Sequence, residues 1–370
     1  MQPTTHLRIG LMSNRIAIIG GGNVGTQLAK TLDDKAEVTL IEAQSHFVHA
    51  PAMIRALVDP TLLDSALYPY SNVLKRGKVV QARASQVDVS GVTLEDGTHI
   101  GADYIVVATG SSHATPFKAN GGSIEDLRAN NAKVHAKLKA AQTIAIVGAG
   151  AVGSELAGEI AHFMPEKEVT LISSDDTLFP TMPNRLGQGL ARKLKAMGVT
   201  LVTGSLVENL ESMTEPYAGT LSLSNGDQIT ADLIFPAIGS RATSELLADL
   251  PGAKRSNANR IKTDAWMRPS ELPNVFAAGD VADSGDAMTV VAAGRQEPWL
   301  AKLLLNLING GKVEDAKPYK PWGKAPILVP LGPKKGNSFL VLFTAGDFLT
   351  SAMKGKDLFR AKYNKLFGRS

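Results

Sequence analysis

Two stretches of the chain carry residue types at spacings suited to phosphate chemistry. The first, Arg15 to Lys30, RIAIIGGGNVGTQLAK, breaks from an apolar strand into Gly20, Gly21, Gly22, Asn23, Val24 and Gly25. This is a G-x-G-x-x-G turn between a strand and a helix. Gly20 allows the tight turn, Gly22 lets backbone N–H groups approach a pyrophosphate, and Gly25 lets the helix pack closely on the strand. Glu37 to Glu42, EVTLIE, reads as the next strand and ends in an acid 17 residues after Gly25. A carboxylate there accepts from a ribose hydroxyl, so the implied ligand is a dinucleotide.

The pattern then returns. After the apolar run Thr143 to Val147, Gly148, Ala149, Gly150, Ala151, Val152 and Gly153 form a second G-x-G-x-x-G, followed by SELAGEIA as its helix. Glu168 to Ser173, EVTLIS, matches EVTLIE in five of six positions. Two strand–turn–helix fingerprints with matching second strands are an internal duplication of a βαβ unit, far more specific than one glycine pattern. The copies differ where Ser173 replaces Glu42. A small hydroxyl removes the repulsion that excludes a 2′-phosphate, so the second site is expected to take NADPH as well as NADH; Asp175 and Asp176 follow it, and the nearest arginine is Arg185.

Other elements must position these turns. Tyr104 to Gly110, YIVVATG, reads as a buried strand ending in Ala108, Thr109 and Gly110, small enough for a cofactor to come close, and Leu233 to Gly239 closes the second unit in the same way. Asn274 to Asp283 ends a third such strand in Gly279 and Asp280, a carboxylate able to accept from a ribityl hydroxyl. Ser123 to Ala141 is helix-type, and Ala287 to Asn309 becomes a helix opening near Met288 and Thr289 and capped by Gly310 and Gly311, with its positive N-terminal end aimed at the cofactor. KVVQARASQVDV, from Lys78, reads as one alternating strand, with a hairpin through Asp96-Gly97 after it. His46 and His49 have H-x-x-H spacing but no carboxylate or thiol partner nearby, so a metal is not expected and both are read as surface or cofactor-edge histidines.

Composition bounds the chemistry. With 370 residues, two or three domains are expected. A net charge of +4, from 39 basic and 35 acidic residues, is too small an excess for a nucleic-acid surface. There is no cysteine, which excludes disulfides, thiolate-bound metals and a redox dithiol. Met1 to Leu11 is too short and polar for a secretory signal, Met12 is the expected start of the fold, Gln2 does not accept myristate, and no run is long enough to cross a bilayer. A cytoplasmic protein is expected, with peripheral membrane contact left open by the tail. Lys354 to Ser370, KGKDLFRAKYNKLFGRS, has two readings: a basic amphipathic helix at a membrane surface, or, favoured, a terminal helix packed on the body or across a homodimer interface.

In order, the glycine turn with Glu42, ATG at Ala108 to Gly110, the central turn with Glu155, and AAGD at Ala277 to Asp280 resemble the two-dinucleotide-binding flavoproteins of the pyridine nucleotide-disulfide oxidoreductase superfamily. FVHAPAMIRA, PEKEVTLIS, the lack of cysteine and the YKP…KGKDLF ending resemble its apoptosis-inducing-factor-like, ferroptosis-suppressor branch, near the type II NADH dehydrogenases. The resemblance implies an α/β chain of two Rossmann-like domains: FAD on 12–116 with 246–311, NAD(P)H on 117–245, and a small C-terminal α+β region, 312–370, facing an interface or membrane. It implies FAD at Gly20, Gly22, Gly25 and Glu42, with Ala84 near adenine, Arg55 near the flavin nucleotide and Asp280 on the ribityl chain. It places NADH or NADPH at Gly148, Gly150 and Gly153, with Ile238 and Gly239 on the nicotinamide side. Glu155 is implied to act beside nicotinamide and flavin. Of the glutamines near the quinone in type II NADH dehydrogenases only Gln296 is matched, since Val291 and Arg295 hold the other places. The activity implied is NAD(P)H oxidation with electrons passed to a quinone-type acceptor; the alternatives are a ferredoxin or rubredoxin reductase, or a redox-sensing interaction protein.

Overall fold

β1 (Arg15–Ile19) is buried beyond its first residue, an apolar strand that must be covered on both faces. In the computed structural model, which describes residues 14–114, 116–119 and 122–369, the chain turns from β1 into α1 (Asn23–Leu32) and returns as β2 (Glu37–Glu42), parallel to β1 with Arg15 opposite Glu37. The segment through Met12 lies outside the described residues. After α2 (Ala50–Val58), β3 (Lys78–Gln81) adds outside β2, and β4 (Tyr104–Val107) adds on the other side of β1. α3 (Ile124–Ala140) then starts from a capping box in which the Ser123 hydroxyl accepts from the Asp126 N–H.

The second unit repeats the plan: β5 (Thr143–Val147), α4 (Ala151–Phe163), β6 (Glu168–Ile172), α5 (Asn184–Ala196), β7 (Thr200–Val202), β8 (Tyr217–Ser222) and β9 (Gln228–Pro236). Thr143 stands opposite Glu168, the register of Arg15 on Glu37. β10 (Val275–Ala277) goes back to the first sheet and pairs with β4. The two five-stranded sheets are ordered β10-β4-β1-β2-β3 and β7-β6-β5-β9-β8, parallel except for β8. α6 (Val290–Ile308) covers α1; Thr289 caps it by accepting from the Ala292 N–H, and Pro298 sits inside it.

KVVQARASQVDV is two strands rather than one. Lys78–Gln81 ends at the sheet edge, where the Ala82 N–H donates to Glu42 O, and Ala84–Asp88 belongs to a separate antiparallel meander with Gly91–Leu94 and His99–Gly101. Alternation persists across the break because both pieces are half-buried strands; period alone does not reveal the change of sheet.

The C-terminal layer is β11 (Ile327–Leu331), β12 (Lys335–Phe339) and β13 (Thr344–Ala345), then α7 (Asp347–Thr350) and, after a turn, α8 (Arg360–Phe367). Leu358 and Phe359 adopt positive φ, which breaks the tail before α8 begins. α8 turns its apolar side inward: Tyr363 is fully buried, 5.1 Å from the Phe47 ring and 4.2 Å from His49, and Phe367 stacks 4.9 Å from Tyr68. His49 is therefore a core histidine, not a surface one; its Nε2 meets Leu358 O, and burial lowers its pKa to about 4. No described helix is long and apolar enough to cross a membrane. Replacing Tyr363 by alanine should cost about 3–5 kcal/mol through the cavity left between α8 and the first unit; equilibrium urea unfolding measures this, and a loss under about 1 kcal/mol would show that the tail is not clamped there.

Candidate cofactor site

Each glycine turn is built by the same close approaches. Gly20 and Gly148 have φ of +98° and +107°, and a Cβ on either would lie 2.4 Å from the carbonyl oxygen of Ala108 or Ala237. A Cβ on Gly25 would lie 1.8 Å from Gly20 O, and one on Gly153 1.9 Å from Gly148 O, so each helix starts directly against its own turn. Gly22 and Gly150 differ in kind: nothing lies within 4 Å of a Cβ on either. The glycines of the first class make the turn; those of the second leave space open beside the helix N-terminus, as a pyrophosphate bound there would need.

The first turn opens onto a cavity of about 780 Å³, walled by Gly20, Gly22, Glu42, Ala84, Ala108, Thr109, Gly110, Gly279, Asp280 and Met288. Glu42 is fixed at its rim: Oε2 accepts from the Gly21 N–H at 2.5 Å and Oε1 from the Gln44 N–H at 2.8 Å. Tyr70, fully buried, donates from its hydroxyl to Gly21 O at 2.5 Å, and burial raises its pKa. Of the copy, Ala151 and Val152 line this cavity, whereas its three glycines do not. Gly148, Gly150 and Gly153 lie at the carboxyl end of the second sheet, with Ile238 exposed and Gly239 just beyond β9. Ser173 is buried, and its Oγ accepts from the Asp175 N–H at 3.2 Å, so its hydroxyl is engaged by its own loop, and the carboxylates of Asp175 and Asp176 follow at the surface.

Two side chains without a motif, Lys118 and Lys354, also reach the cavity. Lys118 Nζ donates to Ser111 O at 2.6 Å and Ser111 Oγ at 2.7 Å; that hydroxyl donates to Asp280 at 2.6 Å, and the ammonium stands 3.8 Å from the same carboxylate. Burial lowers the Lys118 pKa, and Asp280 opposes the shift. Lys354, from the C-terminal layer, donates to Glu155 at 2.6 Å and to Leu328 O at 3.2 Å. Burial raises the Glu155 pKa, with Lys354 pulling it back down. Neither Lys118 nor Lys354 is legible beforehand, because the partner that gives each its place, Asp280 or Glu155, is distant in the chain.

Two expected site residues lie behind the wall instead of in it. Arg55 does not line the cavity: it is buried and bidentate to Glu159, with Nε–Oε2 at 2.9 Å and Nη2–Oε1 at 2.7 Å. α2 packs on α4, and a guanidinium enclosed there needs a carboxylate. Gln296 does not reach the cavity either. It is 1 % exposed, accepts from the Gly279 N–H at 2.6 Å, and donates to Ser284 Oγ and Asp286 Oδ2, both at 3.1 Å. It is thus a positioning residue for the Gly279-Asp280 turn. The buried Asp286 joins it to the C-terminal segment by accepting from the Tyr319 hydroxyl and, at 3.0 Å, from the Trp322 N–H. Arg260 ties the turn from below, donating to Asp280 O at 3.1 Å and Asp286 O at 2.8 Å. His46 lines the cavity, away from any cluster of metal-binding side chains among the described residues.

Residues 69–296 match the family described as pyridine nucleotide-disulphide oxidoreductase, and residues 15–97 match a second family of the same description. The chain is 30% identical to apoptosis-inducing factor homolog B of Dictyostelium discoideum, over 94% of this chain and 95% of that one. It is 26% identical to ferroptosis suppressor protein 1 of Taeniopygia guttata, over 97% of each. Among solved structures, the sulfide:quinone oxidoreductase of Aquifex aeolicus has the same fold, with a TM-score of 0.77 at 15% identity, covering 96% of this chain and 92% of that one.

The two classes of glycine separate experimentally. Gly22→Ala should fold with an unchanged melting temperature when stripped of flavin, since its methyl meets no protein atom, yet purify without FAD; Gly25→Ala should fail to fold, since its methyl meets Gly20 O. A Gly22→Ala protein that retains full yellow absorbance would remove the pyrophosphate assignment.

Proposed function

The chain belongs to the pyridine nucleotide-disulphide oxidoreductase family, whose members use FAD and NAD(P)H, and from that premise we propose that it is an NAD(P)H dehydrogenase passing electrons to a quinone-type acceptor. FAD is assigned to the first unit, 12–116 with 246–311, and NAD(P)H to the second, 117–245. The open space at Gly22 and Gly110 and the Glu42 and Asp280 carboxylates in the wall fit the former. The flavin, when bound, supplies the transfer of two electrons between nicotinamide and acceptor.

The observation that carries the reading is the Lys354–Glu155 pair beside the apolar wall formed by Pro326, Ile327 and Leu328. α4 brings Glu155 from the nucleotide unit and the C-terminal layer brings Lys354, so the pair stands where the three parts of the molecule meet. An apolar wall with one proton-bearing pair suits a flat, lipophilic acceptor that is reduced at a carbonyl oxygen. The overall reaction, NAD(P)H plus quinone plus one proton giving NAD(P)⁺ and hydroquinone, needs one proton from the protein side, and no cysteine is available to carry electrons another way.

Lys354 and Glu155 hold that proton between them. Glu159, one turn along α4, adds a second carboxylate that pushes the Glu155 pKa up, and Arg55 opposes it. A glutamate whose pKa is raised keeps its proton at higher pH than a free one, and loses it as pH rises through that value. Proton delivery is therefore complete at low pH and falls as pH rises.

Two variants test this. Glu155→Gln should flatten the fall of kcat with rising pH, and Lys354→Met should lower quinone turnover about 100-fold, the ordinary scale of general acid catalysis. Both should remain bleachable by NADH or NADPH under anaerobic conditions. Full quinone turnover by Lys354→Met would overturn the assignment of the pair, and failure of the wild type to bleach would overturn the dehydrogenase reading itself.

A further inference from the structure

Four carboxylates stand in the wall of the cofactor cavity: Glu42, Glu155, Glu245 and Asp280. FAD adds the negative charge of its diphosphate, and a carboxylate set close to it repels it unless something answers the charge. Glu42 is met by two backbone N–H groups, Glu155 by Lys354, and Glu245 is exposed to water. Asp280 is placed less easily. A Cβ on Gly279 would lie 3.3 Å from Val24 Cγ2, so the Gly279-Asp280 turn abuts the start of α1, where Gly22 leaves its open space.

Among the described residues, Lys118 is the one cation within 4 Å of the Asp280 carboxylate, at 3.8 Å. The ammonium is held there by Ser111 O and Oγ, and the Ser111 hydroxyl donates to the same oxygen, Asp280 Oδ2. Oδ1 has no protein partner among the described residues, which leaves it to a hydroxyl of the ligand. The backbone behind Lys118 is anchored by Phe117, which is buried and whose N–H donates to Ala114 O at 3.1 Å. His113, on the same stretch, is kept neutral by burial, with its pKa lowered to about 4, so the positive charge here is that of Lys118.

The pair differs from one that only closes the fold. Arg55 and Glu159 are shut in, with side chains 5% and 2% exposed, whereas Lys118 and Asp280 keep 28% and 23% and both line the cavity. We propose that Lys118 is a positioning residue for the flavin nucleotide: a fixed counter-charge that lets the Asp280 carboxylate stand beside the diphosphate and still accept from the ribityl chain. The proposal rests on the assignment of FAD to the first unit. Lys118 acts through Asp280, and its worth to the cofactor therefore depends on that carboxylate being present.

Release of flavin from the diluted holoenzyme, read as the return of free-flavin fluorescence, tests the proposal. Lys118→Met, which keeps the length of the side chain and removes its charge, should weaken FAD retention about 10- to 100-fold, the range for a charged hydrogen-bonding partner. Ser111→Ala leaves the ammonium on Ser111 O and should cost only the few-fold of one neutral hydrogen bond. In an Asp280→Asn background the further change Lys118→Met should alter retention by no more than about twofold, the scatter of independent sites, because the charge it answers is gone. Unchanged retention by Lys118→Met, an equally large loss from Ser111→Ala, or the same Lys118→Met loss with and without the Asp280 carboxylate would each overturn the proposal. A wild-type protein that purifies without flavin would overturn the FAD assignment itself, which keeps the two failures apart.

Discussion

Helix α4 cannot be enclosed unless two carboxylates on it are met. Glu155 and Glu159 lie one turn apart and are almost completely buried, and an ionised carboxylate in such a place is stable only when paired and hydrogen-bonded. The partners come from opposite directions: Arg55 from the first unit and Lys354 from the C-terminal layer. One helix of the second unit thereby ties together three parts of the chain distant in sequence. Loss of a single partner from such a pair typically costs about 3–5 kcal/mol, since the other charge is left enclosed and unmatched.

The same helix begins at the glycine turn of the second unit. Its first residues are held by the Gly153–Gly148 approach, and the Ser154 hydroxyl donates to Ala149 O at 3.1 Å, as Thr26 does to Gly21 O at 2.6 Å in the first unit. Rigid strand–turn–helix geometry at one end and an ion pair in the middle fix Glu155 relative to the cavity wall. Both units leave open space beside their turns, and the second adds a helix face bearing charge.

The walls of the cavity come from long-range returns of the chain. β10 delivers Gly279 and Asp280 to the first sheet, and the orientation of that turn is set by Gln296, Asp286 and Arg260 acting as a buried hydrogen-bonded hub. Tyr319 and Trp322 join the hub to the C-terminal segment, with Arg295 stacked 4.2 Å over the Trp322 ring. Gln296 acts on the Gly279-Asp280 turn through the Gly279 N–H and does not line the cavity. A glutamine on a helix near a cofactor has the same sequence signature in either role; only the direction it faces distinguishes them.

Local periodicity and glycine spacing were enough, from sequence alone, to reveal two strand–turn–helix units, the acid that ends β2 and the aspartate in the turn after β10. These features depend on contacts within some thirty residues or on a strand end whose composition is distinctive, so the pattern survives in one dimension. Arg55, Gln296, Lys118 and Lys354 were decided by tertiary structure. Each is a charged or polar side chain whose role depends on which distant segment lies opposite it: Glu159 for Arg55, Gly279 and Asp286 for Gln296, Ser111 and Asp280 for Lys118, Glu155 for Lys354. The same holds for the tail, whose basic and aromatic mixture allows a membrane helix as well as the favoured packed one. Burial of Tyr363 against Phe47 and His49 chose between them, because the free energy of hiding an aromatic ring depends on the surface waiting for it and not on the sequence that carries it.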